Sequence, residues 1–293
     1  DGTRIVMDAP PPQENVRPFV AIAGLLREAG VQSPAVHAVD AERGFVLLGD
    51  FGDRDYLRAL DDESAEALYG DALETLLALQ RNVVVATAGL PAYDEALLRR
   101  ELGLFREWLL ERWLALALTP AEEALLADTL DLLVQSALEQ PRVCVHRDYH
   151  SRNLMVTGTG NPGVLDFQDA VIGPLTYDLV SLLRDCYVVW PPARVQAWVD
   201  GYRDRLLAAG LLGAGEAGRF GRWFDLMGMQ RHLKAAGIFV RLKLRDGKPG
   251  YLADIPRTLG YVAEVARAYP ELTAFAGFLD QRVWPRLSAG ERP

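Results

Sequence analysis

The sequence predicts an α+β fold in two parts, a small sheet-bearing part in front and a large, mostly helical part behind. Three observations carry this. Up to residue 48 the chain alternates short strand-like runs with one amphipathic helix. From residue 54 onward it is dominated by leucine- and alanine-rich stretches with helical periodicity. Between two of those stretches lies a polar loop, His146-Arg147-Asp148-Tyr149-His150-Ser151-Arg152-Asn153, and soon after it an apolar run that ends at Asp166-Phe167.

Taken in order, residues 3–8 read as a strand that Pro10-Pro11-Pro12 breaks. Val16, Phe19, Val20, Ile22, Ala23 and Leu26 give residues 16–29 one apolar helical face, and Gly30 ends it. Residues 35–39 and 45–48 read as two strands separated by a turn at 40–44, with His37 on the surface. Leu47-Leu48-Gly49-Asp50-Phe51-Gly52 closes the second strand with glycines, either as a plain strand-to-helix turn or as the connection between the two parts. Helices are expected at 63–80, 94–114, 120–138, 176–189, 193–209, 216–245, 254–268 and 271–286. The helix at 120–138 opens with Thr119-Pro120-Ala121-Glu122, a cap residue, a first-turn proline and a first-turn glutamate. The 87–93 segment, with Gly89 and Pro91, reads as a loop joining helices. The tryptophans, among them Trp108, Trp113, Trp198 and Trp223, recur on helices and read as core residues.

The polar loop carries the chemistry. Val143, Cys144 and Val145 form a short apolar strand leading into it. Asp148 then sits on a turn, free to accept a proton from a substrate hydroxyl. Asn153 lies five residues on, and its amide oxygen is a neutral, hard ligand for Mg²⁺. Leu154-Met155-Val156 and Gly163-Val164-Leu165 read as a two-strand hairpin with Gly158 and Gly160 in its turn. The second strand ends at Asp166, whose carboxylate suits Mg²⁺ held against ATP phosphates. An H-R-D-x-x-x-x-N loop, a hairpin and then an aspartate make up the pattern of a protein-kinase-type phosphoryl-transfer site. A lone aspartate would only decorate a loop; here the spacing, the preceding strand and the following hairpin agree.

Composition narrows the partners. The chain has 293 residues, half of them apolar, and a formal net charge of −9. It can bury a sizeable core, and it lacks the basic surface that nucleic acid requires. Its two cysteines, Cys144 and Cys186, read as reduced core thiols. No secretory signal and no apolar run of membrane-spanning length stands out. The expectation is a cytoplasmic protein with no nucleic-acid or membrane partner and no obligate protein partner.

The motif residues resemble the aminoglycoside phosphotransferase family, small-molecule kinases with the protein-kinase fold. That family shows H-G-D-x-H-x-x-N where this chain has His146-Arg147-Asp148-Tyr149-His150-Ser151-Arg152-Asn153. It then shows an aspartate followed by an aromatic, here Asp166-Phe167, and G-x-P with an aspartate opening a helix, here Gly173-Pro174-Leu175-Thr176-Tyr177-Asp178-Leu179. Met7-Asp8-Ala9-Pro10-Pro11, Leu165-Asp166-Phe167-Gln168-Asp169-Ala170, Gln230-Arg231-His232-Leu233-Lys234 and Arg245-Asp246-Gly247-Lys248-Pro249 look similar to one branch. That branch comprises the anomeric kinases of N-acetylmuramate and N-acetylglucosamine used in cell-wall recycling.

The resemblance implies a bilobal protein-kinase-like fold: an N-lobe over 1–48, a hinge at 49–53 and a C-lobe over 54–293 with a helical acceptor-binding subdomain. It implies ATP and Mg²⁺ as cofactors, Asp148 as the catalytic base, and Asn153 and Asp166 as metal ligands. Backbone groups of Leu48, Gly49 and Asp50 would bind adenine. His146, His150 and Asp178 would support the loop, Asp178 by hydrogen bonds to its backbone; a helix-start carboxylate is the plainer role for that residue. Arg147 reads as a structural partner. Two departures stand out. The strand reads Arg4-Ile5-Val6-Met7-Asp8, with no lysine for the ATP phosphates, and no glycine-rich loop precedes it. Residue 1 is Asp rather than Met, so the N-lobe is expected to be partial, lacking its first strands and phosphate loop.

The acceptor is read from a small-molecule sugar site. Arg222, Arg231, Lys234, Arg241, Lys243, Arg245 and Lys248 concentrate positive charge, opposed locally only by Asp225 and Asp246. The cluster reads as a face for neutral or anionic acceptors or as a solvated helix side, with Gly237 as a bend. Gln230, Arg231 and His232 are candidates for the sugar, with Gln168 and Asp169 as alternatives. Arg152 would contact ligand or form a surface salt bridge. The expected reaction is ATP-dependent phosphorylation of the anomeric hydroxyl of N-acetylmuramate, N-acetylglucosamine or both to the sugar 1-phosphate, in peptidoglycan recycling. The alternatives are a kinase of another small alcohol such as an aminoglycoside, and a catalytically dead nucleotide-binding scaffold.

Overall fold

The structure is a computed structural model that describes residues 2–288. Residue 1 of the expected N-lobe and residues 289–293 of the expected C-lobe lie outside the described residues. In chain order the principal elements are β1 (Arg4–Asp8), α1 (Val16–Glu28), β2 (Val36–Asp40), β3 (Phe45–Gly49), α2 (Tyr56–Ala59), α3 (Ala65–Asn82), α4 (Glu95–Leu104), α5 (Pro120–Leu138), β4 (Arg142–Val145), β5 (Leu154–Met155), β6 (Gly163–Val164), β7 (Val171–Pro174), α6 (Tyr177–Leu183), α7 (Pro192–Ala208), α8 (Phe220–Asp246), α9 (Ile255–Ala268), α10 (Thr273–Phe278) and α11 (Trp284–Ser288). The chain forms two compact units, 1–92 with 141–217 and 93–140 with 218–293. The expected N-lobe and the catalytic loop therefore belong to the same unit.

In the first unit β3 is the central strand of an antiparallel sheet of order β1-β3-β2. Helix α1 buries Val16, Phe19, Ile22, Ala23 and Leu26, a stripe at three- and four-residue spacing. Asn15 caps its start by accepting from the Arg17 N–H at 3.0 Å. The chain leaves it through Gly30 at φ +82°, a left-handed conformation that glycine adopts without a Cβ penalty. Two further antiparallel pairs, β4 with β7 and β5 with β6, frame the polar loop. The strand β7 was not foreseen, because Val171-Ile172 ahead of Gly173-Pro174 is too short to show a period.

Helix α6 is shorter than the expected 176–189. It ends at Leu183, and the Asp185 carboxylate accepts from the Tyr187 N–H at 2.9 Å. That local side-chain bond competes with helix continuation, and Pro191-Pro192 follow closely.

In the second unit the expected 94–114 helix is realised as α4 followed by a π-helical stretch, Phe105–Trp113. The expected 271–286 helix is likewise broken, with a π-helical stretch at Leu279–Val283 between α10 and α11. Such widened turns leave no periodic signature in sequence. Helix α5 carries the foreseen cap: Thr119 and Glu122 exchange side-chain-to-backbone bonds as a capping box, with Pro120 in the first turn. The long α8 is the unit's spine and packs on α4, α5 and α9. Gly237 is no bend. An added Cβ there would lie 2.4 Å from the backbone carbonyl of Leu104, so glycine permits close approach of two main chains. Among the described residues no helix is long and apolar enough to cross a membrane.

Candidate active site

Strand β4 pairs residue for residue with β7, Val145 opposite Val171, and delivers the chain into the loop at His146. Asp178, fully buried at the start of α6, reaches back to receive it. Its carboxylate accepts the His146 N–H at 2.6 Å and the Arg147 N–H at 3.0 Å. Arg147 is thereby held at φ +78°, a strained conformation for a residue with a Cβ. The resembling family's glycine at this position has a physical reason.

Beyond Arg147 the loop folds on itself. The Asp148 N–H lies 3.3 Å from His146 Nδ1, the His150 N–H donates to Asp148 O at 3.1 Å, and the Asn153 N–H donates to His150 O at 2.9 Å. Burial pushes the His146 imidazole down to about 4, against the opposing influence of the Asp148 and Asp166 charges. His146 is therefore neutral at pH 7 and lies within electrostatic reach of both carboxylates. Asp148 is half-buried, not sealed in hydrocarbon.

A second buried carboxylate, Asp185, braces the far side of the loop. It accepts both the N–H (3.0 Å) and the hydroxyl (2.6 Å) of Ser151. Tyr149 is fully buried and donates its hydroxyl to Ala72 O in α3 at 2.8 Å, and the Leu57 N–H donates to Ser151 O at 3.1 Å. The rings of His150 and Tyr187 meet edge to face at 5.5 Å, and the exposed Arg152 guanidinium lies 3.8 Å over the Tyr187 ring. Asp185 and Tyr187 lie in a stretch, 176–189, whose periodicity reads as helix, which hides their role in the sequence. An aspartate two residues before an aromatic, at a helix end, was the available signal.

The structure brings Asn153 and Asp166 together. Asn153 Nδ2 donates to Asp148 O at 3.0 Å and lies 3.3 Å from Asp166 Oδ2. The Leu165 N–H donates to Asn153 O at 2.9 Å, which ties the loop's end to the hairpin. Asp166 sits at φ +61° and is exposed. With Nδ2 committed as donor, Asn153 Oδ1 remains as an acceptor beside a carboxylate, a hard oxygen pair of the kind Mg²⁺ prefers. The residues present thus fit the metal. Next in the chain, Phe167 is buried and stacks on Phe19 of α1 at 4.8 Å.

Gln168 donates to Asp166 Oδ1 at 2.8 Å, beside the metal candidate. Asp169 is exposed, and its carbonyl oxygen lies 3.4 Å from an Arg147 guanidinium nitrogen.

At the expected hinge, Leu48 is buried opposite Ile5 and Val36. The Gly49 N–H is committed to Ala35 O at 2.8 Å, so it is unavailable to a base edge. The Asp50 carboxylate accepts the Gly52 N–H at 2.8 Å, and the Thr3 hydroxyl and that amide hold it below the usual range. Phe51 lies on Gly163 of β6, where an added Cβ would fall 2.6 Å from its ring. The Val156 N–H donates to Arg54 O at 2.8 Å. The segment after β3 therefore runs along the hairpin that leads to Asp166.

The remaining acceptor candidates belong to the second unit. Gln230 is fully buried and donates to Tyr93 (3.1 Å) and Glu101 (3.4 Å). His232 is fully buried and stacks on Tyr261 at 4.9 Å, and Arg231 is 6% exposed.

Ion pairs offset part of the positive charge expected along α8. Lys234 is nearly buried and pairs with Glu101 at 3.0 Å, while Arg222 pairs with Glu271 at 2.6 Å and Arg245 with Asp246 at 2.7 Å. Two of these carboxylates, Glu101 and Glu271, come from elements distant in sequence, so the charges along α8 alone overstate its positive character.

Comparison with known proteins bears on the family and the fold. The model of the phosphotransferase enzyme family matches residues 1–218. A curated protein of Pseudomonas putida, named N-acetylmuramate/N-acetylglucosamine kinase, is 51% identical over 98% of this chain and 83% of that protein. One of the same name from Neisseria meningitidis is 43% identical over 97% of this chain and 85% of that protein. Among solved structures, the choline kinase LicA of Streptococcus pneumoniae superposes with a TM-score of 0.62 at 14% identity, covering 92% of this chain and 87% of that one. The ADP-bound aminoglycoside phosphotransferase APH(2'')-Ib does so with a TM-score of 0.55 at 16% identity, covering 85% and 82%. The fold is therefore the α+β protein-kinase-like fold. With a matching family model over most of its length and relatives this similar, the chain belongs to the phosphotransferase enzyme family.

Proposed function

We propose that this phosphotransferase is an ATP-dependent kinase that phosphorylates the anomeric hydroxyl of N-acetylmuramate, N-acetylglucosamine or both, giving the sugar 1-phosphate. The observation that carries the acceptor is the shared name of relatives 43–51% identical over nearly the whole chain. The braced loop supports the reaction class. A cytoplasmic role in peptidoglycan recycling belongs to the same reading.

Asp148 orients the anomeric hydroxyl and takes its proton as the bond to phosphorus forms; its half-burial suits a base that must meet substrate. His146, neutral by burial, and Asp178 and His150 keep the loop in shape. Asn153 and Asp166 would hold Mg²⁺, which when bound spreads the negative charge of the phosphates. Backbone groups at 48–50 receive adenine, the Gly49 N–H excepted, and residues 49–53 act as the hinge between the functional lobes. Gln168 orients Asp166. Gln230, Arg231 and His232 serve the acceptor, Gln230 and His232 by setting the interior on which contacting groups rest, given their burial.

The test is a substrate panel with ATP and Mg²⁺: both amino sugars, choline and several aminoglycosides, with anomeric phosphate identified by phosphorus NMR. Turnover of an amino sugar, abolished in Asp148→Asn, is the expected result. Turnover confined to a cationic antibiotic reverses the acceptor assignment. Metal-independent nucleotide binding with no product from any acceptor leaves a scaffold.

A further inference from the structure

One cation of α8 has no carboxylate committed to it. We infer that Arg241 anchors an oxyanion-binding subsite near the C-terminal end of α8, one that takes the carboxylate or phosphate of a small molecule. This subsite lies in the second unit, uses no residue of the catalytic loop, and stands or falls apart from the kinase reading.

Gln230, Lys234, Gly237 and Arg241 follow one another at three- and four-residue spacing and so share a face of α8. Along that face Lys234 pairs with Glu101 at 3.0 Å, and Gly237 abuts the Leu104 main chain. One turn further stands Arg241, and α8 packs there along the π-helical stretch Phe105–Trp113. That stretch carries two carboxylates, and both are taken: Glu107 by Arg112 at 2.6 Å and Glu111 by Arg106 at 2.9 Å. Asp246 lies within electrostatic reach of Arg241, but Arg245 holds both of its oxygens, at 2.7 and 3.0 Å. Arg241 is half-buried, and its Nε is sealed from solvent with no hydrogen-bond acceptor among the described residues.

A buried donor without an acceptor costs stability that a bound oxygen recovers. A guanidinium is weakly hydrated and presents a planar fork, so carboxylate and phosphate are the groups it recognises best. Lys248, exposed and within electrostatic reach of the same Asp246, adds positive potential. A helix C-terminus by itself favours cations in its last turn, which accounts for Lys243 and Arg245. It does not account for a guanidinium nitrogen shut away from water. Phe239 stacks on Tyr251 at 5.6 Å, which fixes the segment Pro249–Asp254 against this end of α8.

The experiment titrates the full chain calorimetrically with inorganic phosphate, N-acetylmuramate and N-acetylglucosamine, in wild type, Arg241→Gln, Arg241→Lys and Lys248→Gln. Thermal melts confirm folding. Arg241→Gln is expected to weaken phosphate, N-acetylmuramate or both by at least about tenfold. Arg241→Lys keeps the charge without the fork and should cost about threefold or more. Lys248→Gln removes the same charge from an exposed position and should stay within about twofold of wild type. N-acetylglucosamine, which has no carboxylate, should bind all four proteins alike. A loss confined to N-acetylmuramate assigns the subsite to the sugar's carboxylate, a loss confined to phosphate assigns it to phosphate, and a loss of both assigns it to either oxyanion. Four results overturn the inference: neither anion binding to wild type, both binding Arg241→Gln as well as wild type, an equal loss for N-acetylglucosamine, or Lys248→Gln failing as badly as Arg241→Gln. If Arg241→Gln does not fold, Arg241→Lys decides by the same comparison, and an unchanged affinity in it rejects the subsite.

Discussion

Replacing Asp178 by asparagine separates the energetics of the loop from its chemistry. Both carboxylate oxygens are used, one by the His146 N–H at 2.6 Å and the other by the Arg147 N–H at 3.0 Å, in a site with no solvent exposure. Hydrogen bonds to a charged partner contribute about 1.5–3 kcal/mol each. Asparagine keeps one acceptor and turns its NH₂ toward a backbone N–H, so one bond is lost and buried donors oppose each other. Relief of the buried charge offsets part of this, and the expected net loss is about 2–4 kcal/mol. The strain at Arg147, about 1–3 kcal/mol for a non-glycine residue in such a conformation, then loses the partner that maintains it, and the loop relaxes. In urea, with a slope near 3 kcal/mol/M for a chain of this size, the midpoint should fall by about 1 M. The companion variant Asp148→Asn should behave oppositely. Its side chain is half-buried, so stability should change by no more than about 0.5 kcal/mol while turnover drops about 10²–10⁴-fold. An Asp178→Asn protein with the wild-type urea midpoint would refute the bracing argument.

Three further outcomes follow from the same structure. His146 is pushed by burial to about 4 in the folded state against 6.5 when unfolded. The unfolded chain therefore binds the extra proton between those values, and stability present in full above pH 6.5 declines as pH falls toward 4. About 2 kcal/mol should be gone by pH 5 in urea titrations, and His146→Gln should flatten that part of the profile; an unchanged slope sinks the assignment. Gly237→Ala should destabilise by about 1–3 kcal/mol in thermal or urea melts, since its Cβ meets the Leu104 main chain, which cannot swing aside as a side chain would. Both thiols should resist alkylation at pH 8 until the protein is denatured. Cys144 is fully buried with its thiol pushed up to about 12, and Cys186 is 3% exposed; rapid labelling of the native protein contradicts this.

The sequence by itself determined the local rules and the spacing of the polar loop. The stripe of α1, the capping box of α5, the short strands and the spacing from Asp148 to Asn153 and Asp166 are all effects of residues a few positions apart, where side-chain chemistry and period suffice. Only tertiary structure decided what comes from a distance. The β4–β7 pairing, the main-chain approach at Gly237 and the carboxylates that neutralise Lys234 and Arg222 join segments tens of residues apart. Asp185 shows the boundary well. A single aspartate ended a helix that periodicity would have extended, and in doing so came to hold Ser151, a residue 34 positions away. Such a contact depends on how layers pack, and packing is set by the sum of many burials rather than by any motif.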